Sequence, residues 1–264
     1  MTIRKITADH TGPLTIDASL LGHGGRITVR AEADCVRALV TISTAEEEGA
    51  AADLVRAARL HQSADRLSIT ANGEDSPITR SHHTITVIKR SGAVYGITAS
   101  GDVWVNGARV TAGAVAAGGA APIEITAVVP PGSKVIASTQ SAGIATTGPL
   151  AEVWARTQSG DLRVDEAEEV TASTQSGDAD LGRTGTADVR TMSGDIRIRN
   201  TGENTRLKTM SGDIRVQAAS AGDINARTMS GDIDITASPA ALAAGLNIEA
   251  RSMSGRIDTP RNRR

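Results

Sequence analysis

The chain has 264 residues, of which 39% are apolar but only 1% aromatic, and its formal net charge is −2. A core without aromatic side chains must be built from Ala, Val, Ile and Leu, which favours a narrow repeat core over a thick globular centre. The near-neutral charge argues against a dedicated nucleic-acid-binding protein. The sequence shows neither a secretory signal pattern nor an apolar run that could span a membrane, so we expect a cytoplasmic protein.

The first part of the chain, residues 1–92, is predicted to be a β-rich N-terminal cap. Alternating apolar and polar residues predict strands at 13–17, 26–31, 38–43, 66–70 and 84–88. Between them, the segment AAADLVRAARL predicts one short helix over 50–60. Such a cap would cover the first coil of a repeat array, whose open end otherwise exposes unpaired backbone groups.

A repeated phrase then dominates residues 93–259. The small-residue-rich segment 106–121 is predicted to be a loop or an irregular coil. A strand at 123–129 and a PPGS bend at 130–133 then precede the regular copies, which read Thr-Gln-Ser-Gly-Asp or Thr-Met-Ser-Gly-Asp. Most successive copies are 17 or 18 residues apart, which indicates one supersecondary unit stacked on itself. The serines of the phrase are Ser141, Ser159, Ser176, Ser193, Ser211, Ser230 and Ser254, with Ser100 in an earlier copy.

Each copy contains two half-buried strands around a tight corner. Apolar or small residues stand six and four positions before each serine, and a second alternating set follows the corner. The sequence therefore predicts an all-β fold, a single-chain parallel β-solenoid with about 17–18 residues per coil. Because parallel strands joined by crossovers are almost always right-handed, we expect a right-handed β-helix.

The repeated S-G-D corners, and the strand-PPGS-strand segment just before Thr139, resemble the bacterial putative-adhesin family, a domain of unknown function. The resemblance covers roughly residues 12–259. It implies a β-solenoid behind a β-rich beginning, and no catalytic motif comes with it.

Glycine and aspartate form two columns at the corners. Each carboxylate is expected to accept hydrogen bonds from backbone amides of its own turn and to face nearby arginines. A calcium column is the alternative, but one carboxylate per coil is few for a hard cation, and the G-G-x-G-x-D phrase is absent. We therefore expect no metal and no cofactor. The corner residues are Gly160, Gly177, Gly194, Gly212 and Gly231 with Asp161, Asp178, Asp195, Asp213 and Asp232.

The residue before the serine changes from glutamine in the early copies to methionine in the later ones. By alternation it faces outward, so the methionines would form an exposed apolar strip. In the alternative, the strand flattens or bends there and the methionines pack against the corner or the return loops. An exposed strip would dock another protein or a second copy of the chain. The candidate interaction strip comprises Met192, Met210, Met229 and Met253 with the basic column Arg190, Lys208, Arg227 and Arg251.

Catalytic chemistry finds little support in the sequence. The five histidines lie in the first third of the chain without a metal-ligand spacing, and the corner serines have no neighbouring base. The single cysteine, Cys35, is predicted to be a small buried hydrophobe. We predict no enzyme and no catalytic residue.

These observations predict a non-enzymatic scaffold or protein-interaction module, with nucleic acid and membranes disfavoured as partners. Two alternatives stay open: an adhesin-like module that binds carbohydrate or a surface, and a self-assembling rod. Arg256 replaces the last corner aspartate and a basic tail follows at 260–264, which argues against end-to-end pairing of rods.

Overall fold

The computed structural model describes residues 1–72 and 121–260, together with four short strands within residues 73–120. The chain divides into two compact units. The larger unit comprises Met1–Glu74 and Ala121–Arg264, and the smaller unit comprises Asp75–Ala120.

Strands make up most of the described chain, and two short helices interrupt them. In chain order the strands are β1 (Thr2–Thr7), β2 (Thr15–Leu21), β3 (Gly25–Ala31), β4 (Leu39–Thr44), β5 (Arg59–Ser63), β6 (Arg66–Asn72), β7 (Lys89–Arg90), β8 (Ala93–Val94), β9 (Val103–Val105), β10 (Ala108–Val110), β11 (Ile123–Val129), β12 (Lys134–Thr139), β13 (Gly143–Arg156), β14 (Leu162–Thr174), β15 (Ala179–Thr191), β16 (Ile196–Thr201), β17 (Asn204–Lys208), β18 (Ile214–Ala218), β19 (Asp223–Ser230), β20 (Ile233–Ala237), β21 (Asn247–Ser254) and β22 (Ile257–Asp258). The helices are α1 (Ala50–Ala57) and α2 (Pro239–Ala243).

The smaller unit contains two antiparallel strand pairs, β7 with β8 and β9 with β10. Strand β9 follows the early copy of the phrase and pairs antiparallel, whereas strands of the later copies pair in parallel. Within residues 106–121, predicted to be a loop or an irregular coil, Ala108–Val110 forms a strand, so the loop alternative is wrong there. Ser100, the strand predicted at 84–88 and residues 111–120 of that segment lie outside the described residues.

Two stacks of strands build the larger unit. The pre-corner stack, whose strands lead into the Ser-Gly-Asp corners, runs β6, β2, β12, β13, β14, β15, β17, β19, β21 in parallel pairs. The post-corner stack runs β11, β3, β13, β14, β15, β16, β18, β20, β22, also in parallel pairs. The long strands β13, β14 and β15 serve both stacks. One strand level of a stack is called a rung here.

The N-terminal strands extend both stacks. Strand β2 pairs in parallel with β12 and β6, and β3 pairs in parallel with β11 and β13. Antiparallel strands lie beyond them, with β5 beside β6, β4 beside β11, and β1 beside β4. The region predicted only as a cap therefore also supplies rungs, because β2 and β3 carry the same inward–outward alternation as the repeats.

The core is a continuous column of aliphatic side chains. Ile196, Ile214 and Ile233 pair rung to rung, and each is at most 1% exposed. Burying one such side chain stabilises the fold by roughly 1.5–3 kcal/mol. The inward positions predicted from the alternation are confirmed by this register and burial in the earlier rungs. In the last coil they are not, because no further rung covers them within the described residues: Ile257 is 42% exposed, and Ile248 and Ala250 are half-buried.

Most predicted elements lie close to their predicted positions. The strand predicted at 123–129 is β11, and the one predicted at 26–31 is β3 with one more residue. The predicted helix is α1, which begins as predicted but ends at Ala57. It is shorter because Ala58 has φ −52° and ψ 130°, an extended geometry that leads into β5.

Candidate functional site

Backbone hydrogen bonds hold the later corners in register. Ser193, Ser211 and Ser230 form parallel bridges from one rung to the next. The amide of Ser211 donates to the carbonyl of Met192 at 2.9 Å, and the amide of Ser230 donates to that of Met210 at 2.9 Å. Methionines that are far apart in sequence therefore lie on adjacent rungs, separated by about 4.8 Å.

The four methionines of the candidate strip face solvent. Met192 is 52% exposed, Met210 42%, Met229 49% and Met253 81%. The chain does bend at Met192 and Met210, but the alternative in which the methionines are buried against the corner or the return loops is wrong, because all four are exposed. We call the four methionines the methionine strip.

The basic column borders the methionine strip along its length. Arg190, Lys208, Arg227 and Arg251 pair in register on successive rungs and are exposed. Three of them meet carboxylates: Arg190 lies 3.0 Å from Asp188, while Arg227 and Arg251 lie 3.4 and 2.7 Å from Glu249. Lys208 has no carboxylate partner in the described part of the chain. The column thus keeps some unpaired positive charge beside an apolar strip.

The corner aspartates form a directional ladder of hydrogen bonds between rungs. The amide of Asp195 donates to the carboxylate of Asp178 at 2.9 Å, and the amide of Asp213 donates to that of Asp195 at 2.8 Å. The prediction that each carboxylate accepts from its own turn is therefore wrong, because parallel stacking brings the amide of the next rung closer. The same bond joins Asp178 to Asp161, Asp232 to Asp213, and Arg256 to Asp232.

Arg256 ends this ladder at the last rung. Its amide donates to Asp232 at 2.7 Å, but its side chain offers no carboxylate to a further amide and instead pairs with Asp258 at 3.0 Å. The expectation that arginines lie near the corner carboxylates is confirmed at Arg215, which lies 3.0 Å from Asp213 and 3.9 Å from Asp195.

The corner glycines are required by the close approach of neighbouring rungs. A Cβ on Gly177 would lie 2.1 Å from the carbonyl oxygen of Gly160, and a Cβ on Gly212 would lie 2.2 Å from that of Gly194. At Gly212 the backbone φ of 147° also disfavours an L side chain. Stacking distance, in addition to the turn itself, explains why this column is glycine.

Most of the sequence matches a known protein family. Residues 78–263, well over half of the sequence, match the Toastrack DUF4097 family. The chain belongs to this family. The resemblance drawn from the S-G-D corners is thereby confirmed.

Solved structures with a similar course of the chain share little sequence with this Toastrack protein. A putative adhesin from Bacteroides fragilis is 13% identical with a TM-score of 0.47, over 97% of this chain and 96% of that chain. A putative lipid binding protein from Parabacteroides distasonis is 13% identical with a TM-score of 0.45, over 98% of this chain and 97% of that chain. No curated protein matches the sequence. The family description names a domain of unknown function and no enzymatic activity.

The Toastrack corners are of two kinds, a difference that the sequence analysis missed. In the two glutamine copies that have a Ser-Gly-Asp corner, the threonine hydroxyl accepts from the corner glycine of its own turn: Gly160 donates to Thr157 at 2.9 Å and Gly177 donates to Thr174 at 3.1 Å. In the methionine copies that glycine donates instead to the serine carbonyl of the next rung, as in Gly194 to Ser211 at 3.0 Å. The exchange of glutamine for methionine is the signal that could have revealed it.

Thr191 stands where one kind of corner gives way to the other. It is only 4% exposed, and its hydroxyl has no hydrogen-bond partner within the described residues. Its own glycine, Gly194, donates to the next rung and leaves this hydroxyl without the partner that Thr174 has. The transition between corner types thus leaves one buried polar group unsatisfied.

The titratable side chains of this Toastrack chain provide no candidate metal site in the described ranges. No group of three or more metal-binding side chains occurs among residues 1–72 and 121–260. Burial lowers the pKa of His23, and the nearby Glu46 carboxylate opposes that shift. Cys35 is half-buried and not fully buried as predicted; burial raises the pKa of its thiol, which donates to the carbonyl of Arg37 at 3.2 Å.

Membrane insertion by a helix has no support in the described chain, since neither of its helices is long and apolar enough to cross a bilayer.

Proposed function

We propose that this chain is a non-enzymatic scaffold, a right-handed parallel β-solenoid that binds a segment of another protein along the methionine strip. The observation that supports this most is the alignment of four exposed methionines on adjacent rungs. Soluble proteins seldom leave adaptable apolar side chains in a continuous exposed row unless a partner covers them. The parallel pairing of successive rungs supports the solenoid, and the handedness follows from the crossover rule.

The size of the strip favours an extended peptide segment over a rigid globular partner. Three rung spacings separate the first methionine from the last, about 14 Å. A stable interface between two rigid proteins buries about 800 Å² on each partner. A convex corner of this length cannot supply that area by itself. An extended segment of five or so residues, at about 3.3 Å per residue, would match the strip.

The charge beside the strip favours a segment that carries acidic residues. Lys208 has no carboxylate partner among the described side chains, and Arg227 and Arg251 share the single carboxylate of Glu249. A partner with alternating apolar and acidic residues would place one set on the methionines and the other on the basic column. Electrostatic complementarity of this kind selects partners and speeds their association.

The test uses two synthetic peptides of equal length, one alternating leucine with glutamate and one alternating leucine with lysine. Fluorescence anisotropy should show that the glutamate peptide binds and the lysine peptide does not. The double variant Met210→Ser/Met229→Ser should weaken binding of the glutamate peptide about tenfold, since it removes two apolar contacts.

A matched control changes the same slot on two earlier rungs, Gln158→Ser/Gln175→Ser, and should leave peptide affinity unchanged. Circular dichroism would verify that both double variants are folded. Equal affinity for the two peptides, or unchanged affinity for the glutamate peptide in the methionine variant, would contradict the proposal that the methionine strip binds such a segment. The cytoplasmic location also stays a proposal, for which cell fractionation is the direct measurement.

A further inference from the structure

A groove of about 450 Å³ runs along the outer face of the pre-corner stack, beside the glutamine copies of the phrase. It crosses the rungs of β12, β13, β14, β15 and β17. The side chains that line it include three cations and three amides but no carboxylate. The cations are Arg156, Arg190 and Lys208, and the amides are Gln140, Gln158 and Gln175.

We propose that this groove binds a linear acidic polysaccharide, with its carboxylates on the cations and its hydroxyl groups on the amides. The proposal concerns a different ligand and does not rest on the proposed function. The groove shares Met192 and Met210 with the methionine strip, and Arg190 and Lys208 with the basic column, but its amides and Arg156 lie outside both.

The positive charge of the groove is largely available to a ligand. Arg156 and Lys208 have no carboxylate partner among the side chains that the structure describes, and Arg190 is held by Asp188 of its own strand at 3.0 Å. Because these three residues project from rungs of one stack, their charges form a line along the groove. A linear polymer with regularly spaced anionic groups is complementary to such a line.

The amides favour a sugar polymer over a phosphate polymer. A glutamine side chain both donates and accepts hydrogen bonds, as a sugar hydroxyl does, whereas a phosphate oxygen can only accept. Gln140 is also held in place, because its side-chain oxygen accepts from the amide of Gly22 at 2.9 Å and leaves its amino group to donate. A ladder of amides beside cations therefore suits a chain that carries both hydroxyls and carboxylates.

An exposed indole adds an apolar surface next to the groove. Trp154 is 37% exposed and stands two residues before Arg156 on β13, so both side chains project from the same face. An aromatic ring of this kind can pack on the apolar face of a sugar ring. Single-stranded nucleic acids are bound by several aromatic side chains in succession, and Trp154 is the one aromatic residue within the described side chains.

The groove overlaps the methionine strip. It includes Met192 and Met210, so a polysaccharide bound there would exclude a peptide from the first half of that strip.

Isothermal titration calorimetry with polygalacturonate oligomers tests the proposal, with uncharged dextran oligomers as the neutral comparison. We expect the acidic oligomer to bind and dextran not to bind. The variant Arg156→Gln/Gln158→Ala should weaken binding of the acidic oligomer roughly tenfold, which corresponds to one charge-assisted hydrogen bond. The control Arg197→Gln removes an exposed cation from the post-corner stack and should leave the affinity unchanged.

Three results would overturn the proposal. The first is no heat of binding with the acidic oligomer, and the second is an equal loss of affinity in Arg156→Gln/Gln158→Ala and Arg197→Gln. The third is tighter binding of an oligonucleotide of equal charge, which would assign the groove to nucleic acid. Met229 lies outside the groove, so the variant Met229→Ser distinguishes the two proposals. It should lower the affinity for the leucine–glutamate peptide and leave the affinity for the acidic oligomer unchanged.

Discussion

The aspartate ladder makes a quantitative prediction about Asp195, which lies in its middle. Its carboxylate accepts the amide of Asp213 at 2.8 Å, while its own amide donates to Asp178 at 2.9 Å. Asp195→Ala removes the acceptor for one amide and leaves the other bond intact. Asp195→Asn keeps an acceptor oxygen in the same place and removes only the charge.

The two variants change different contributions to the free energy of unfolding. A hydrogen bond to a charged group contributes about 1.5–3 kcal/mol. The two neighbouring carboxylates, roughly 5 Å away, repel Asp195 by about 1 kcal/mol each in water before salt screening. Alanine loses the bond and relieves the repulsion, so the free energy of unfolding should fall by about 1 kcal/mol. Asparagine keeps a neutral bond and relieves the same repulsion, so it should stay within about 0.5 kcal/mol of the parent.

Urea unfolding followed by circular dichroism, together with hydrogen exchange of the Asp213 amide, measures both effects. We expect faster exchange of that amide in Asp195→Ala and near-parental protection in Asp195→Asn. Equal destabilisation by the two variants would mean that the charge, and not the acceptor, matters. Unchanged exchange in Asp195→Ala would show that the ladder bond does not protect the next rung.

Three further measurements examine the corners and the half-buried imidazole of His23. Gly177→Ala should lower the free energy of unfolding by about 3 kcal/mol or prevent folding, because the added Cβ would lie 2.1 Å from a backbone oxygen. Urea titrations measure this change. The control is Gly24→Ala, because a Cβ added at Gly24 meets no atom within 4 Å. Thr191→Val should leave the melting temperature unchanged or raise it, since its hydroxyl has no described partner, while Thr157→Val should cost about 1 kcal/mol through loss of a 2.9 Å bond. Burial lowers the pKa of His23 below 6.5, so the unfolded state binds its proton more readily; stability should fall as the pH drops from 7 through 6.5 toward 5, and His23→Gln should flatten that part of the pH profile.

Much of the stack could be predicted because period and alternation act through the backbone. A spacing of 17 or 18 residues leaves little choice but to superpose equivalent positions, and the alternation then assigns Ile214 inward and Met210 outward. Exposure of the methionines followed from the same rule. These predictions needed only local patterns repeated along the chain.

The predictions that were wrong concern contacts between rungs, which no single repeat contains. The acceptor of each corner amide lies on the preceding coil, so reading one turn assigned the Asp195 carboxylate to the wrong donor. The parallel pairing of β2 with β12 joins residues more than a hundred positions apart, and alternation alone cannot identify such a partner. The first ninety residues therefore looked like a separate cap when part of them continues the stack.

The change from glutamine to methionine shows how a substitution at the surface can accompany a change in backbone pairing. In the methionine copies the glycine amide pairs across rungs, and the freed threonine hydroxyl donates to the carbonyl of the preceding glycine, as Thr209 does to Gly194 at 3.4 Å. In the last two copies the strand extends to the serine, so Met229 lies in β19 and Met253 lies in β21. Met192 and Met210 instead lie at bends beside the isolated bridges of Ser193 and Ser211. The cross-rung bonds from Ser211 to Met192 and from Ser230 to Met210 nevertheless keep the methionines on successive rungs. The regular spacing of the row therefore comes from backbone pairing at the corner, and not from a strand conformation shared by all four residues.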